Sequence, residues 1–420
     1  MKRVLVYLLV VVIIIGAIGA VIYFLTRTGN LSGNQGQTGS LPSTNGNGEA
    51  FNQGANGSLP NGDALNNGSS SATAPRLTTV SNEPALDYFV DNNGGATIIE
   101  PDGEVANVSN VNADIISNLE IQNIISAGFS YDGAKILVNF GDPNSPQTSV
   151  FDLETKAWTP LPVGMVSPRW SPTDYRIVYL RNNPNGTETL TTLDASKIKN
   201  NSVVIITLHI QDVSLFWSSQ NKILFYDNPS IYAAGSVWAF DLQKKSLTPI
   251  VVEQRGTETA WSNTPTTMGI VFVGNTSQYG GRLQFVDGAG NPIEQFGFLT
   301  LPSKCVFNPF IITETTSSIV QAPTTAITSS TANPSYLALY CGIPRDQDMF
   351  SSSKLPDDYE QMALFTSDNI YRINTSNGNM DILFDDQNKN MDVSHIKIFN
   401  NSLFFINRYD QKLYSLSIAR

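Results

Sequence analysis

The chain is poor in the residues from which metal and redox centres are built. Its 420 residues include two Cys and two His, too few for a zinc cluster or a multi-histidine site. Charge is scarce too. Asp, Glu, Lys and Arg make up 15% of residues, against roughly a quarter in an average globular chain. The charge that is present leans acidic, with a formal net charge of −11, which argues against a general nucleic-acid binder, since that needs a basic face. Familiar catalytic signatures are missing: there is no GxxxxGK phosphate loop, no HExxH zinc helix and no GxSxG nucleophile elbow. His209 and His395 share no motif and read as structural. Asp386, Asn388, Asn390 and Asp392 imitate the start of a calcium loop, but Met391 stands where the Gly turn belongs and Lys397 where the bidentate Glu belongs. No catalytic residue, metal site or cofactor is expected.

The N-terminus does contain a long apolar run. Residues 4–25 carry no charge, and as a helix 22 residues rise about 33 Å, enough to cross a bilayer core. Lys2 and Arg3 precede the run and Arg27 follows it, so the positive-inside bias predicts residues 1–3 in the cytoplasm and the remainder outside. The run is too long for a cleaved signal, and Tyr23-Phe24-Leu25 stands where small residues would be needed for cleavage. An uncleaved signal-anchor is therefore expected, with the cytoplasmic membrane as a partner through residues 4–25. A flexible linker is expected over residues 26–75. Thirty of the 48 residues 28–75 are Gly, Asn, Ser or Thr, and only Glu49 and Asp63 are charged. Such a stretch cannot bury enough apolar surface to offset its ordering entropy.

From Val80 onward a unit recurs: an aromatic, a Ser, a polar turn, then a β-rich run. It stands as Phe129-Ser130 before Ile136-Leu137-Val138, Trp170-Ser171 before Ile177-Val178-Tyr179, Trp217-Ser218 before Ile223-Leu224-Phe225, and Trp261-Ser262 before Ile270-Val271-Phe272. Weaker copies are Val80-Ser81 before Tyr88-Phe89-Val90, Phe307-Asn308, and Phe399-Asn400 before Leu403-Phe404-Phe405. The intervals are 49, 41, 47, 44, 46 and 92 residues. A second marker links the units two apart: Phe151-Asp152-Leu153 and Phe240-Asp241-Leu242, each leading to Thr-Pro, are separated by 89 residues. Short β-runs repeating every ~40–50 residues predict an all-β propeller of four-stranded blades over residues 76–420. Seven copies predict about seven blades, with six or eight also compatible with the length. Phe129, Trp170, Trp217, Trp261, Phe307 and Phe399 are expected on inner strands, packing between blades. Only 21 residues follow Phe399, so the last outer strand should be lent by residues just before Val80. One short helix is expected, Pro356 to Phe365.

The aromatic-Ser-(Pro)-Asp/Asn-Gly-x-x-Ile/Val pattern, clearest at Phe129–Val138 and Trp170–Tyr179, resembles the TolB-type, WD40-like propeller repeat. The resemblance implies the propeller fold and an extracytoplasmic compartment. It does not extend to the separate α/β domain of TolB proteins or to their lipoprotein partner, for which this chain has no matching segment.

Cys305 and Cys341 lie on the expected first and second strands of one blade, where antiparallel neighbours place the start of one beside the end of the next. Outside the cytoplasm such a pair is expected to form a disulfide, with two buried free thiols as the alternative. Loop insertions are expected at about 310–335, where residues 311–335 hold 12 Ser or Thr, and at 344–366. The function expected is a membrane-tethered, extracytoplasmic scaffold in the cell envelope that binds proteins or wall polymers, without catalysis. The alternative is a hydrolase or lyase acting on extracellular glycans or peptides. Two or more carboxylates with a His or Arg at one channel mouth would favour the enzyme, and a broad aromatic or charged rim would favour binding.

Overall fold

The repeat period becomes seven four-stranded antiparallel sheets, arranged as the blades of a propeller. A computed structural model describes residues 77–109, 111–197, 202–209, 213–227, 229–262, 268–275, 279–313 and 335–418. The expected membrane helix (4–25) and linker (26–75) lie outside the described residues. Among the described residues no helix is long and apolar enough to cross a membrane.

Blades 1 to 7 are numbered by their innermost strands: Asp87–Val90, Ile124–Phe129, Val166–Trp170, Val213–Ser219, Glu258–Trp261, Cys305–Thr313 and Val393–Phe399. Within each blade every strand pairs with its neighbour in antiparallel register. The ring closes through blade 7. Its outer strand is Leu77–Pro84, which pairs with Lys412–Ser417 through Leu77↔Leu416, Thr78↔Ser415 and Thr79↔Tyr414. Closure by an N-terminal strand was expected, but Val80-Ser81 is part of that strand rather than a marker of blade 1. Phe89 holds the marker place instead. Tyr88-Phe89-Val90 accordingly lies on the innermost strand of blade 1, not on its second strand. A strand enlisted to cover the last blade's open edge cannot also serve the first.

The two sequence markers are turn chemistry. Ser130 Oγ accepts from Lys135 N–H at 3.0 Å, and Ser130, Ser171 and Ser262 close their hairpins by backbone bonds to Lys135, Arg176 and Met268. Those hydroxyls are buried, so a residue without a side-chain acceptor would leave donors unmet. The second marker forms the turn between third and fourth strands. Asp152 Oδ1 accepts from Glu154 and Thr155 N–H, Asp241 Oδ1 from Gln243 and Lys244 N–H. Lys156 and Lys245 then take positive φ, 53° and 51°, as Asp-initiated turns of this kind require.

Alternation along the strands sends one face of each blade against the next. Leu215, Trp217, Phe225 and Phe240 of blade 4 meet Val178, Leu180 and Leu190 of blade 3. Tyr88, Val90 and Ile98 of blade 1 meet Phe404, Ile406 and Leu413 of blade 7. Each such buried aromatic or aliphatic side chain contributes about 1.5–3 kcal/mol, so the ring is held by its inter-blade layers.

Candidate functional site

Strand direction assigns the chemistry to two faces. All innermost strands begin on one face, called here the first, which also carries the loops between second and third strands. On this face, in blade 6, residues 345–367 form a strap between the strands Ser335–Pro344 and Asp368–Asn374. It contains two helices, α1 (Gln347–Ser351) and α2 (Asp357–Glu360). The expected helix over Pro356 to Phe365 is thus shorter, and α1 was missed. Asp346 caps α1, its carboxylate accepting from Met349 N–H at 2.7 Å, a local signal that was legible in the sequence.

The strap is fastened across four blades. Asp357 accepts from Ser230 Oγ at 2.8 Å and Ile231 N–H at 2.7 Å, both in blade 4. Gly280 N–H of blade 5 donates to Ser353 O at 2.8 Å. The strap lies so close there that a Cβ on Gly274 would stand 2.8 Å from Leu355 O. Phe350, Leu355, Tyr359 and Leu364 enter the core between blades 5 and 6. Beneath α2 sits a charge cluster that seals the strap to blades 6 and 7. Lys304 Nζ, completely buried, is 2.7 Å from Asp368 and 2.6 Å from Asp392, and donates to Thr366 Oγ1 at 2.8 Å and Tyr359 OH at 3.2 Å. Arg408 pairs with Asp392 at 3.0 Å and lies over the Tyr359 ring, 3.7 Å from its centroid. Burial alone would push the Lys304 ammonium down, but Asp368, Tyr359 and Asp392 outweigh it and hold the group charged.

Under the strap a cavity of about 560 Å³ opens onto the channel between the innermost strands of blades 4 to 7. Phe216, Tyr226, Trp261 and Phe307 line it, as do Glu258, Glu360, His395 and Lys397. Glu258 begins the innermost strand of blade 5. Its Oε1 accepts from Ser303 N–H, while Oε2 is sealed from bulk water without a hydrogen-bond partner. Burial, with Glu360 adding to it and Ser303 opposing, pushes the Glu258 carboxyl up to about 7. Burial also raises Glu360, against the pull of Arg408. His395 occupies a bulge between Ser394 and Lys397, with φ of 49°. Water reaches it within the channel, yet the surrounding walls press its imidazole pKa down, with Asp87 opposing.

The residues singled out from the sequence fall as follows. Cys305 and Cys341 are register partners joined by a disulfide. Trp217, Trp261 and Phe307 are buried in inter-blade clusters, and Phe129, Trp170 and Phe399 pack half-buried against theirs. Trp170 Nε1 donates across the blade boundary to Gly128 O at 2.9 Å. His209 lies just past the strand Ser202–Leu208, and His395 lies within Val393–Phe399. Of the calcium-like series, Asp392 is consumed by Lys304 and Arg408. Among the described residues no three His, Cys, Asp or Glu are grouped to hold a metal. The first insertion was placed at residues 310–335. The strands it joins reach Thr313 and resume at Ser335, and residues 314–334 between them lie outside the described residues. Glu258, Lys304, Glu360 and Arg408 were not foreseen. Lys304 left one trace, as the charge within the otherwise uncharged run Leu301–Phe307.

No protein-family model and no curated relative matches the sequence. Solved propellers do align with it. The β-propeller domain of the Trilobed protease from Pyrococcus furiosus covers 67% of this chain and 78% of its own, at 11% identity and TM-score 0.41. Oligogalacturonate lyase from Vibrio parahaemolyticus covers 83% of this chain and 95% of its own, at 9% identity and TM-score 0.49. Tricorn protease covers 83% of this chain at 9% identity and TM-score 0.45, and the match spans 34% of that protein. At these identities no residue role passes from them to this chain.

Proposed function

We propose that this chain is an extracytoplasmic binding propeller, tethered by residues 26–75 to a membrane helix at 4–25, that takes its ligand at the strapped end of the channel. The observation that carries the reading is the roofed cavity. Four innermost strands, with Glu360 from a strap fastened to four blades, line a volume within the usual range of ligand pockets. The disulfide supports the compartment, because such bonds persist where the surroundings are oxidising. The repeats support grouping with TolB-type, WD40-like propellers, and envelope proteins or wall polymers are the partners this location offers. A photoreactive residue at Phe216 in the full chain, irradiated in intact cells, should capture a partner, whereas one at Val203, exposed on the rim of blade 3, should not. Equal capture at both places, or none at Phe216, refutes the reading.

A second reading, a hydrolase or lyase for extracellular glycans or peptides, has one specific support. Glu258, Glu360 and His395 line one cavity, the grouping named above as favouring an enzyme, and Glu258 titrates near the pH at which general acids and bases work best. Turnover of a glycan or peptide that Glu258→Gln abolishes without unfolding the chain would select it.

A further inference from the structure

We propose that the strapped cavity is a receptor for an organic ammonium group, with Glu258 and Glu360 as its anions and Phe216, Tyr226 and Phe307 as its aromatic walls. The inference rests on the reading of this cavity as the binding site and names the chemistry of what enters it. The cations around the cavity are already engaged. Lys304 is held by Asp368 and Asp392, Arg408 by Asp392, and Lys397 by Asp87 at 2.6 Å and by Tyr88 O at 2.8 Å. The carboxylates are not: among the described residues neither Glu258 nor Glu360 forms an ion pair.

A sealed carboxylate oxygen without a donor costs free energy that a bound donor returns. Glu258 Oε2 is such an atom, and its partner oxygen is fixed by Ser303 N–H. A hard metal ion would want several oxygen ligands in a shell, and no group of three metal-ligating side chains gathers among the described residues. Aromatic faces beside two carboxylates suit a cation with an apolar stem, which gains from the rings as well as from the charge. Phe216, half open to the channel, offers such a surface. A lysine side chain and a chain-terminal amine share this chemistry.

The pH dependence has a definite sign. An ammonium binds the ionised form of Glu258. The charged and titratable groups facing that carboxyl are Glu360 from α2 and Lys304 ahead of blade 6. Across the cavity stand His395 and Lys397 of blade 7. Below pH about 7 ligand must displace a proton from Glu258, and a protonated His395 adds repulsion. Affinity therefore holds above neutrality and declines as the pH falls.

The test is calorimetric titration of the full chain in detergent with benzylamine and with benzyl alcohol, which differ in charge but little in shape. Benzylamine should bind at least about tenfold more tightly than the alcohol. That preference should shrink in Glu258→Gln and between pH about 8 and about 5.5, with the thermal melt confirming a folded variant. Nα-acetyl-lysine amide and dialanine amide identify the source: tighter binding of the first assigns a lysine side chain, of the second a chain terminus. Equal binding of benzylamine and benzyl alcohol, no binding of benzylamine to protein that melts cooperatively, or an undiminished preference in Glu258→Gln overturns the proposal. Those results leave capture of a partner at Phe216 untouched, so the two readings fail separately.

Discussion

Replacing Lys304 by Met keeps most of the side-chain volume and removes the ammonium that faces Asp368. In the native chain that ammonium meets two carboxylates at 2.7 and 2.6 Å and two hydroxyls, all out of contact with water. Removing one member of a buried ion pair costs about 3–5 kcal/mol, because the other charge is stranded. Here Asp392 still has Arg408 at 3.0 Å. Among the described residues Asp368 keeps only Thr366 Oγ1 and Val393 N–H, so one stranded charge places the loss near the lower end, about 3 kcal/mol. At about 2 °C per kcal/mol for a domain of this size, the melting temperature should drop by about 6 °C. Burial already pushes the Asp368 carboxyl up, with Lys304 opposing, and the variant removes that opposition. A carboxyl whose folded pKa exceeds its unfolded value contributes stability at low pH and loses it as pH rises. The deficit of Lys304→Met should therefore narrow on acidification from neutral pH toward about 4. Scanning calorimetry across that range measures it, and limited proteolysis should find residues 345–367 newly cleaved. A melting temperature at pH 7 within about 1 °C of the parent protein, with the strap still resistant, would refute the claim that this cluster holds the strap down.

Reduction of the Cys305–Cys341 bridge opens a loop with a sequence separation of 36 residues, worth roughly 3–4 kcal/mol in the chain-entropy model; a lower melting temperature and preferred cleavage within residues 311–335 are expected, and unchanged proteolysis after verified reduction contradicts this. Gly133→Ala should destabilise strongly, since φ there is 76° and the new Cβ would fall 2.2 Å from the Phe89 ring; denaturant melts should show partial recovery in the double variant with Phe89→Ala, and a neutral Gly133→Ala refutes the blade 1–2 packing. Glu258 rises from 4.5 to about 7 on folding, so its contribution is present below about 4.5 and lost as pH climbs through about 7. The melting temperature of Glu258→Gln should be flatter than that of the parent across this window, and parallel curves would show that Glu258 is not buried as described.

Much of the architecture is written locally. Each blade is a run of neighbours in sequence, and its turns depend on residues two to five apart, as Ser130 with Lys135 and Asp152 with Thr155 show. Such spacing survives reading along the chain, which is why four aromatic-Ser copies and two aromatic-Asn copies located six of the seven innermost strands. The marker failed at blade 1, where Phe89 is followed by Val90 rather than Ser or Asn and where Val80-Ser81 offered a decoy. The disulfide was legible for the same reason, since adjacent antiparallel strands set Cys305 against Cys341.

What the sequence by itself determined was therefore the repeat, the hairpins, the closing strand and the one crosslink, because hydrogen bonding between consecutive strands links residues at short, regular separations. What only the tertiary structure decided was the site. Glu258, Lys304, Glu360, Asp392 and His395 belong to three blades and a strap, and no spacing along the chain relates them. They meet because closing seven blades into a ring brings the starts of the innermost strands together around one channel mouth, and because the strap of blade 6 folds across it. Among them Lys304 and Asp392 are tolerable there only as a group, each stabilised by partners contributed from other parts of the ring.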